Sequence, residues 1–333
     1  MPPSYLELWT NGELQKRAEK AGQTLKSCRL CPRQCRVNRT GEERGFCRAG
    51  FLPMVSSYTV HWGEEPPICG PRGSGTIFFT HCNLHCVFCQ NYPVSQLRVG
   101  KEVSVEALGR MMLALQNRGC HNINLVTPTH FVPQILKALC LAVEEGFRLP
   151  FVYNTNGYDS LETLALLEGI VDIYLPDMKY ADEDVARAYS QALDYPAVNS
   201  MAIREMYRQV GVGTYAPDGT MERGLIIRHL LLPNGLAGTE KMARFVAETF
   251  SPPCPISLMT QFFPAYRARE FPELRRRLHR REFKEALEIL DRYGLQRGWK
   301  QEWIKTRPSS INSPQLAREQ MEGRVGVRPS ANC

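Results

Sequence analysis

A chain of 333 residues, 43% of them hydrophobic and 23% charged, can bury a sizeable core, which excludes a wholly disordered protein. No run reaches the roughly 18 apolar residues of a membrane span, and the opening MPPSYLELWTNGELQ has no apolar stretch of a signal peptide. The expected setting is therefore a reducing cytoplasm without membrane contact, where the twelve cysteines serve as metal ligands, reactive groups or small core residues. Of the net charge of +7, most comes from residues 265–308, with 13 Lys/Arg against 7 Asp/Glu. With no aromatic platform beside it, this basic stretch reads as a solvated helix face, and no nucleic-acid partner is expected.

Residues 4–26 read as an amphipathic helix, residues 28–50 as a Cys-, Arg- and Gly-rich module, and residues 51–75 as a Pro/Gly-rich loop. A repeated strand–helix rhythm follows. Strands are expected at 76–80, 122–126, 150–153, 171–175, 224–231 and 256–259. Helices are expected near 104–118, 132–146, 160–168, 181–192, 198–210, 238–250 and 282–294. Six β–α units in series imply a parallel sheet with right-handed crossovers. Length and order favour an α/β partial (β/α)6 TIM-type barrel carrying an N-terminal cysteine-rich extension. The expected division is 1–70, 71–305 and a polar, disordered tail at 306–333. In such folds functional residues follow the C-terminal ends of strands.

After the first barrel strand, FFTHCNLHCVFCQN places Cys82, Cys86 and Cys89 in a C-x3-C-x2-C spacing. Three thiolates from one tight loop suit three irons of a cubane, and the fourth iron keeps an open position for a small molecule. The competing reading is a zinc site closed by His81 or His85. Upstream, CRLCPRQCRVNRTGEERGFC sets Cys28, Cys31, Cys35 and Cys47 in a spacing suited to a closed four-thiolate site, either zinc or an auxiliary iron–sulfur cluster. Cys69, Cys120, Cys140 and Cys254 lack ligand spacing and read as core residues.

At these residues the chain resembles the radical S-adenosylmethionine (SAM) superfamily, whose C-x3-C-x-aromatic-C motif is met by Phe88. HWGEEPP, GSGTIFF, NINLVTPTH, YNTNGYD, VDIYLPDMKY, EMYRQVG and RHLLLP extend the resemblance to the family related to pyruvate formate-lyase activating enzyme. The resemblance implies a 4Fe–4S cluster on Cys82, Cys86 and Cys89. It further implies SAM on the open iron, cleaved by one electron to a 5′-deoxyadenosyl radical that abstracts hydrogen from a substrate.

Candidate SAM contacts are Thr127 and Thr129, in TPTH where a GGE-like turn is usual. Asn154 and Asn156 stand where activating enzymes carry D-T-N-G, and Asp177 and Lys179 match their D-x-K motif. Of Arg228 and His229, which alternate faces, His229 is expected to point inward. Glu64 and Glu65 read equally as groups near the site or as solvent-facing loop. The leading function is a radical SAM enzyme of unknown substrate, fed by a flavodoxin- or ferredoxin-type donor. Alternatives are a glycyl radical enzyme activase, which would act on a protein substrate, and a non-catalytic iron–sulfur or zinc protein, either an electron carrier or a nucleic-acid-binding module.

Overall fold

The computed structural model describes residues 2–301, so the expected tail and Cys333 lie outside the described residues. Short apolar runs flanked by Gly, Pro and Asn become strands β2 (Ser74–Phe79), β4 (Ile123–Val126), β5 (Phe151–Thr155), β6 (Ile173–Pro176), β9 (Ile227–Leu230) and β10 (Ile256–Met259). The remaining strands are β1 (Met54–His61), β3 (Lys101–Glu102), β7 (Gly213–Tyr215), β8 (Met221–Leu225) and β11 (Gly298–Lys300). β2, β4, β5, β6 and β8 pair in parallel, and β9, β10 and β11 continue the array as a second parallel set. A bridge between Asp177 and Arg228 joins the two. Helices fill each crossover, as a partial barrel requires.

Three elements depart from expectation. The N-terminal helix is two, Tyr5–Thr10 and Glu13–Gln23, because Gly12 adopts a left-handed conformation at φ 76°. Residues 54–61, expected as loop, form β1 and run antiparallel to β2, from Val55 opposite Phe79 to His61 opposite Ser74. The strand expected at 224–231 instead breaks at Ile226. Before the break β8 runs antiparallel to β7, with Gly224 so close that a Cβ would stand 2.4 Å from the Gly213 Cα.

Inside the barrel, Val152, Ile173, Leu175, Met221 and Ile226 pack on Ile68 from the short helix Pro66–Cys69, forming an apolar floor. Asn122 holds that helix by donating to the Ile68 carbonyl at 2.8 Å. On the outside, Asp172 accepts from the Ser4 backbone and hydroxyl at 2.9 and 2.7 Å, pinning the N-terminal helix to the barrel. The basic helix Arg280–Arg292 is laced by ion pairs, Arg281 to Glu285, Arg292 to Glu240 and Arg276 to Glu282, as a solvated face would be.

Candidate active site

The period of two along a strand sends alternate residues inward. Above the apolar floor, the inward positions of β5, β6 and β9 end in Asn154, Asp177 and Arg228. Arg228 donates to Asp177 at 2.8 Å and to the Asn154 amide oxygen at 2.6 Å, while Lys179 reaches Asp177 at 2.5 Å. Glu64, from the loop after β1, enters the same cluster 3.5 Å from Arg228. Burial works against the Asp177 carboxylate, yet Arg228 and Lys179 hold its pKa below the usual range. Burial lifts Glu64 from 4.5 to about 7, Arg228 opposing and Glu65 adding to the rise. Beside Glu64, the Asn124 amide opposes the rise, and one carboxylate oxygen of Glu65 is buried without a hydrogen-bond partner among the described residues.

The inward position on β9 thus falls to Arg228 and not to His229. The His229 ring is buried between the Met178 carbonyl at 2.8 Å and the Thr239 hydroxyl at 3.0 Å, on the helix side of the strand. Alternation sends the two residues to opposite faces, and it is Arg228 that faces the barrel interior. Thr129 is likewise committed elsewhere. It donates to Asp159 at 2.7 Å in a buried network that also takes Tyr153 and Thr155. Thr127 sits at the end of β4 with φ 58°, an unusual conformation for a β-branched residue.

The loop after β2 carries Cys82 and Cys86 buried and Cys89 partly so. Each sulfur already faces a polar partner. Asn156 donates to Cys82 Sγ at 3.2 Å and the Leu84 N–H to the same sulfur at 3.4 Å. Ser190 lies 2.8 Å from Cys86 Sγ, and Ser95 lies 3.1 Å from Cys89 Sγ. Such donors suit thiolates that ligate iron, so the donor set fits an iron–sulfur cluster. Phe88 packs edge-on against Tyr180 and Phe262, shielding the loop from below.

Tyr195 and Asn199, on the helix Tyr195–Val210, brace the strand ends. Tyr195 donates to the Asn156 carbonyl at 2.8 Å, and Asn199 donates to the carbonyls of Gly157 and Asp177 at 3.0 and 2.9 Å. Gly157 has φ 76°, and a Cβ there would meet Asn199 at 2.1 Å and the Asp177 carbonyl at 2.4 Å. Gly157→Ala therefore costs about 2–4 kcal/mol, read from the denaturant midpoint.

The profile of the Radical SAM superfamily matches residues 76–215. An uncharacterized protein of Methanocaldococcus jannaschii is 32% identical over 294 residues, covering 85% of this chain and 79% of that one. The chain belongs to the radical SAM superfamily. Membership of this superfamily implies SAM and a 4Fe–4S cluster as cofactors. Among solved structures, a domain of a pyruvate-formate lyase-activating enzyme from Bacteroides vulgatus shares 15% identity, covering 60% of this chain and 91% of that one, with TM-score 0.34. A radical SAM methyltransferase from Sphaerobacter thermophilus shares 17%, covering 67% and 66%, with TM-score 0.44. The FeFe-hydrogenase maturase HydG from Carboxydothermus hydrogenoformans shares 14%, covering 72% and 54%, with TM-score 0.46.

Among the described residues no helix is long and apolar enough to cross a membrane. Cys69, Cys120 and Cys254 are buried and Cys140 is half-buried. From the sequence Glu64 is undecided between the site and the loop, and His229 is preferred to Arg228; the structure brings Glu64 and Arg228 together. The period-two phase of Asn154 on β5, carried across the parallel register, was the signal that could have placed Arg228.

Glu64 makes a pH prediction. Its folded pKa lies above the unfolded one, so its contribution to stability is full below about 4.5 and is lost as pH rises through about 7. Glu64→Gln keeps the neutral shape. Relative to wild type it gains on the order of 3 kcal/mol between these limits, measured by urea unfolding at each pH.

Proposed function

We propose that this protein cleaves SAM reductively at a 4Fe–4S cluster held by Cys82, Cys86 and Cys89, and directs the product radical to a substrate in the barrel mouth. The observation that carries the reading is the loop after β2, where donors from Asn156, Leu84 and Ser190 aim at the sulfurs next to a buried, charged strand-end cluster. Bound there, the cluster and the sulfonium supply the chemistry, a one-electron cleavage giving methionine and a 5′-deoxyadenosyl radical that abstracts hydrogen.

The protein's own part is to orient and enclose. Lys179 and Arg228 supply cationic donors for the SAM carboxylate. Asn154 offers an amide to a ribose hydroxyl, and Thr127 offers its hydroxyl and carbonyl to the ammonium. Asn156 acts through Cys82, which it touches, and not through SAM. The floor of Ile68, Val152 and Leu175 keeps water from below. A metal at Cys28, Cys31, Cys35 and Cys47 completes the cofactor set, and a one-electron donor of the flavodoxin or ferredoxin kind, in the cytoplasm, feeds it.

The test is 5′-deoxyadenosine formation from SAM by anaerobically reconstituted protein with a strong reductant, beside Cys82→Ala/Cys86→Ala/Cys89→Ala. Product from the wild type alone is expected. Cluster-loaded wild type that consumes no SAM, with or without candidate peptides, would favour an electron carrier. Product that appears only with a glycyl radical enzyme would make the protein an activase.

A further inference from the structure

We propose that Cys28, Cys31, Cys35 and Cys47 hold a second iron–sulfur cluster, not zinc, and that it hands electrons to the cluster at Cys82, Cys86 and Cys89; this rests on the function proposed above. The four cysteines line one cavity together with Arg33 and Arg39. Backbone bonds shape it, the Cys28 N–H donating to the Val37 carbonyl and the Arg36 N–H to the Cys28 carbonyl.

Charge argues for an anionic occupant. Arg39 is only 1% exposed, and among the described residues no carboxylate pairs with it. Its guanidinium donates to the carbonyls of Gly50 and His130 and lies 3.8 Å from Cys28 Sγ. A buried guanidinium without a counter-charge is strongly unfavourable. Arg33 adds a second donor, its Nη2 buried without a partner. Four thiolates around a metal centre supply the missing negative charge and the missing acceptor. His130 gives Nε2 to the Thr80 carbonyl and leaves Nδ1 without a partner on the same wall.

Redox chemistry separates the metals. Zinc carries no electron, whereas an iron–sulfur cluster does, and the four cysteines that line this cavity lie against the loop of Cys82, Cys86 and Cys89.

Position gives the role. The Phe46 N–H donates to Cys35 Sγ at 3.3 Å, and the Phe46 ring stacks on His85 at 4.0 Å, one residue before Cys86. Arg33 lies 3.7 Å over the Phe46 ring and donates to the Asn83 carbonyl, one residue after Cys82. The two cysteine loops are thus in direct contact. Exposed Arg29, Arg36, Arg44 and Arg48 surround the outer one, a surface suited to an acidic donor protein. The step is a transfer of one electron from a low-potential donor protein to the outer cluster and then to the inner, with no bond made or broken in the relay.

The test uses the full chain, reconstituted anaerobically with iron and sulfide in the presence of zinc. Cys82→Ala/Cys86→Ala/Cys89→Ala is expected to retain about four iron and about four sulfide per chain, no zinc, and a paramagnetic signal on reduction. Cys35→Ser/Cys47→Ser should keep the inner cluster only, which tests the inner site separately. In reduced wild type the two signals should broaden each other. One zinc and no iron in the triple variant would overturn the proposal, as would neither metal in a triple variant that is folded by circular dichroism. Phe46→Leu should keep both clusters and slow reduction of the inner one by reduced flavodoxin; an unchanged rate would overturn the relay.

Discussion

Arg228→Met lowers stability by about 3–5 kcal/mol, the largest loss expected of any single substitution here. The guanidinium is the shared partner of Asp177, Glu64 and Asn154 inside the barrel, with its side chain 16% exposed. Removing it leaves Asp177 with Lys179 alone and Glu64 facing Glu65 without its cation. Methionine fills much of the volume, so the loss reports charge more than a cavity. Arg228→Lys should recover only part, because an ammonium cannot meet Asp177 and Asn154 with the planar fork. Urea unfolding of Arg228→Met, Asp177→Asn and the double variant measures the coupling. Values that simply add would show that the two charges do not act as a pair.

Asp159→Ala is the second large effect, at about 3 kcal/mol. Its carboxylate accepts from the hydroxyls of Thr129, Tyr153 and Thr155, all buried and all within 3.0 Å. Burial raises its pKa while the three hydroxyls oppose the rise. Without the carboxylate, three donors lose their acceptor in a dry region where water does not replace it. Asp159→Asn keeps one acceptor oxygen and should lose about half as much. The readout is the denaturant midpoint, together with SAM-dependent product formation. The network sets the turn after β4 and the end of β5, so activity should fall in parallel with stability.

Much of this arrangement could be seen in the residues before any coordinates. The alternation of short apolar runs with longer amphipathic stretches placed every crossover helix, and β10 at Ile256–Met259 matches its expected span. What escaped depended on partners distant in sequence. MVSSYTVH is half-polar and flanked by Pro and Gly, and only pairing with β2 makes it a strand. Neither β7 nor β11, each three residues long, carries a pattern of its own.

The same limit applies to the site. The cysteine spacing is local and stands in the sequence itself. The choice between Arg228 and His229 was not, because alternation fixes that two neighbours face opposite ways but not which way either faces. Glu64 joins Arg228 across 164 residues of chain, a distance no window of sequence spans. Thr129 had the right residue type and place for a ligand contact. Its hydroxyl was already claimed by Asp159, thirty positions on.

The strands at the margins of the array also shape how the protein behaves in concentrated solution. β3 contributes only Lys101 and Glu102, both exposed and of opposite charge, while β7 and β11 are three residues each. Among the described residues, the longer parallel strands lie between neighbours except β9, which the Asp177–Arg228 bridge ties to the end of β6. Short or charged margins give a second chain little backbone to extend. Fibril-like growth from the folded state is therefore suppressed by the architecture, and turbidity on heating would follow unfolding of the barrel instead of pairing between intact molecules.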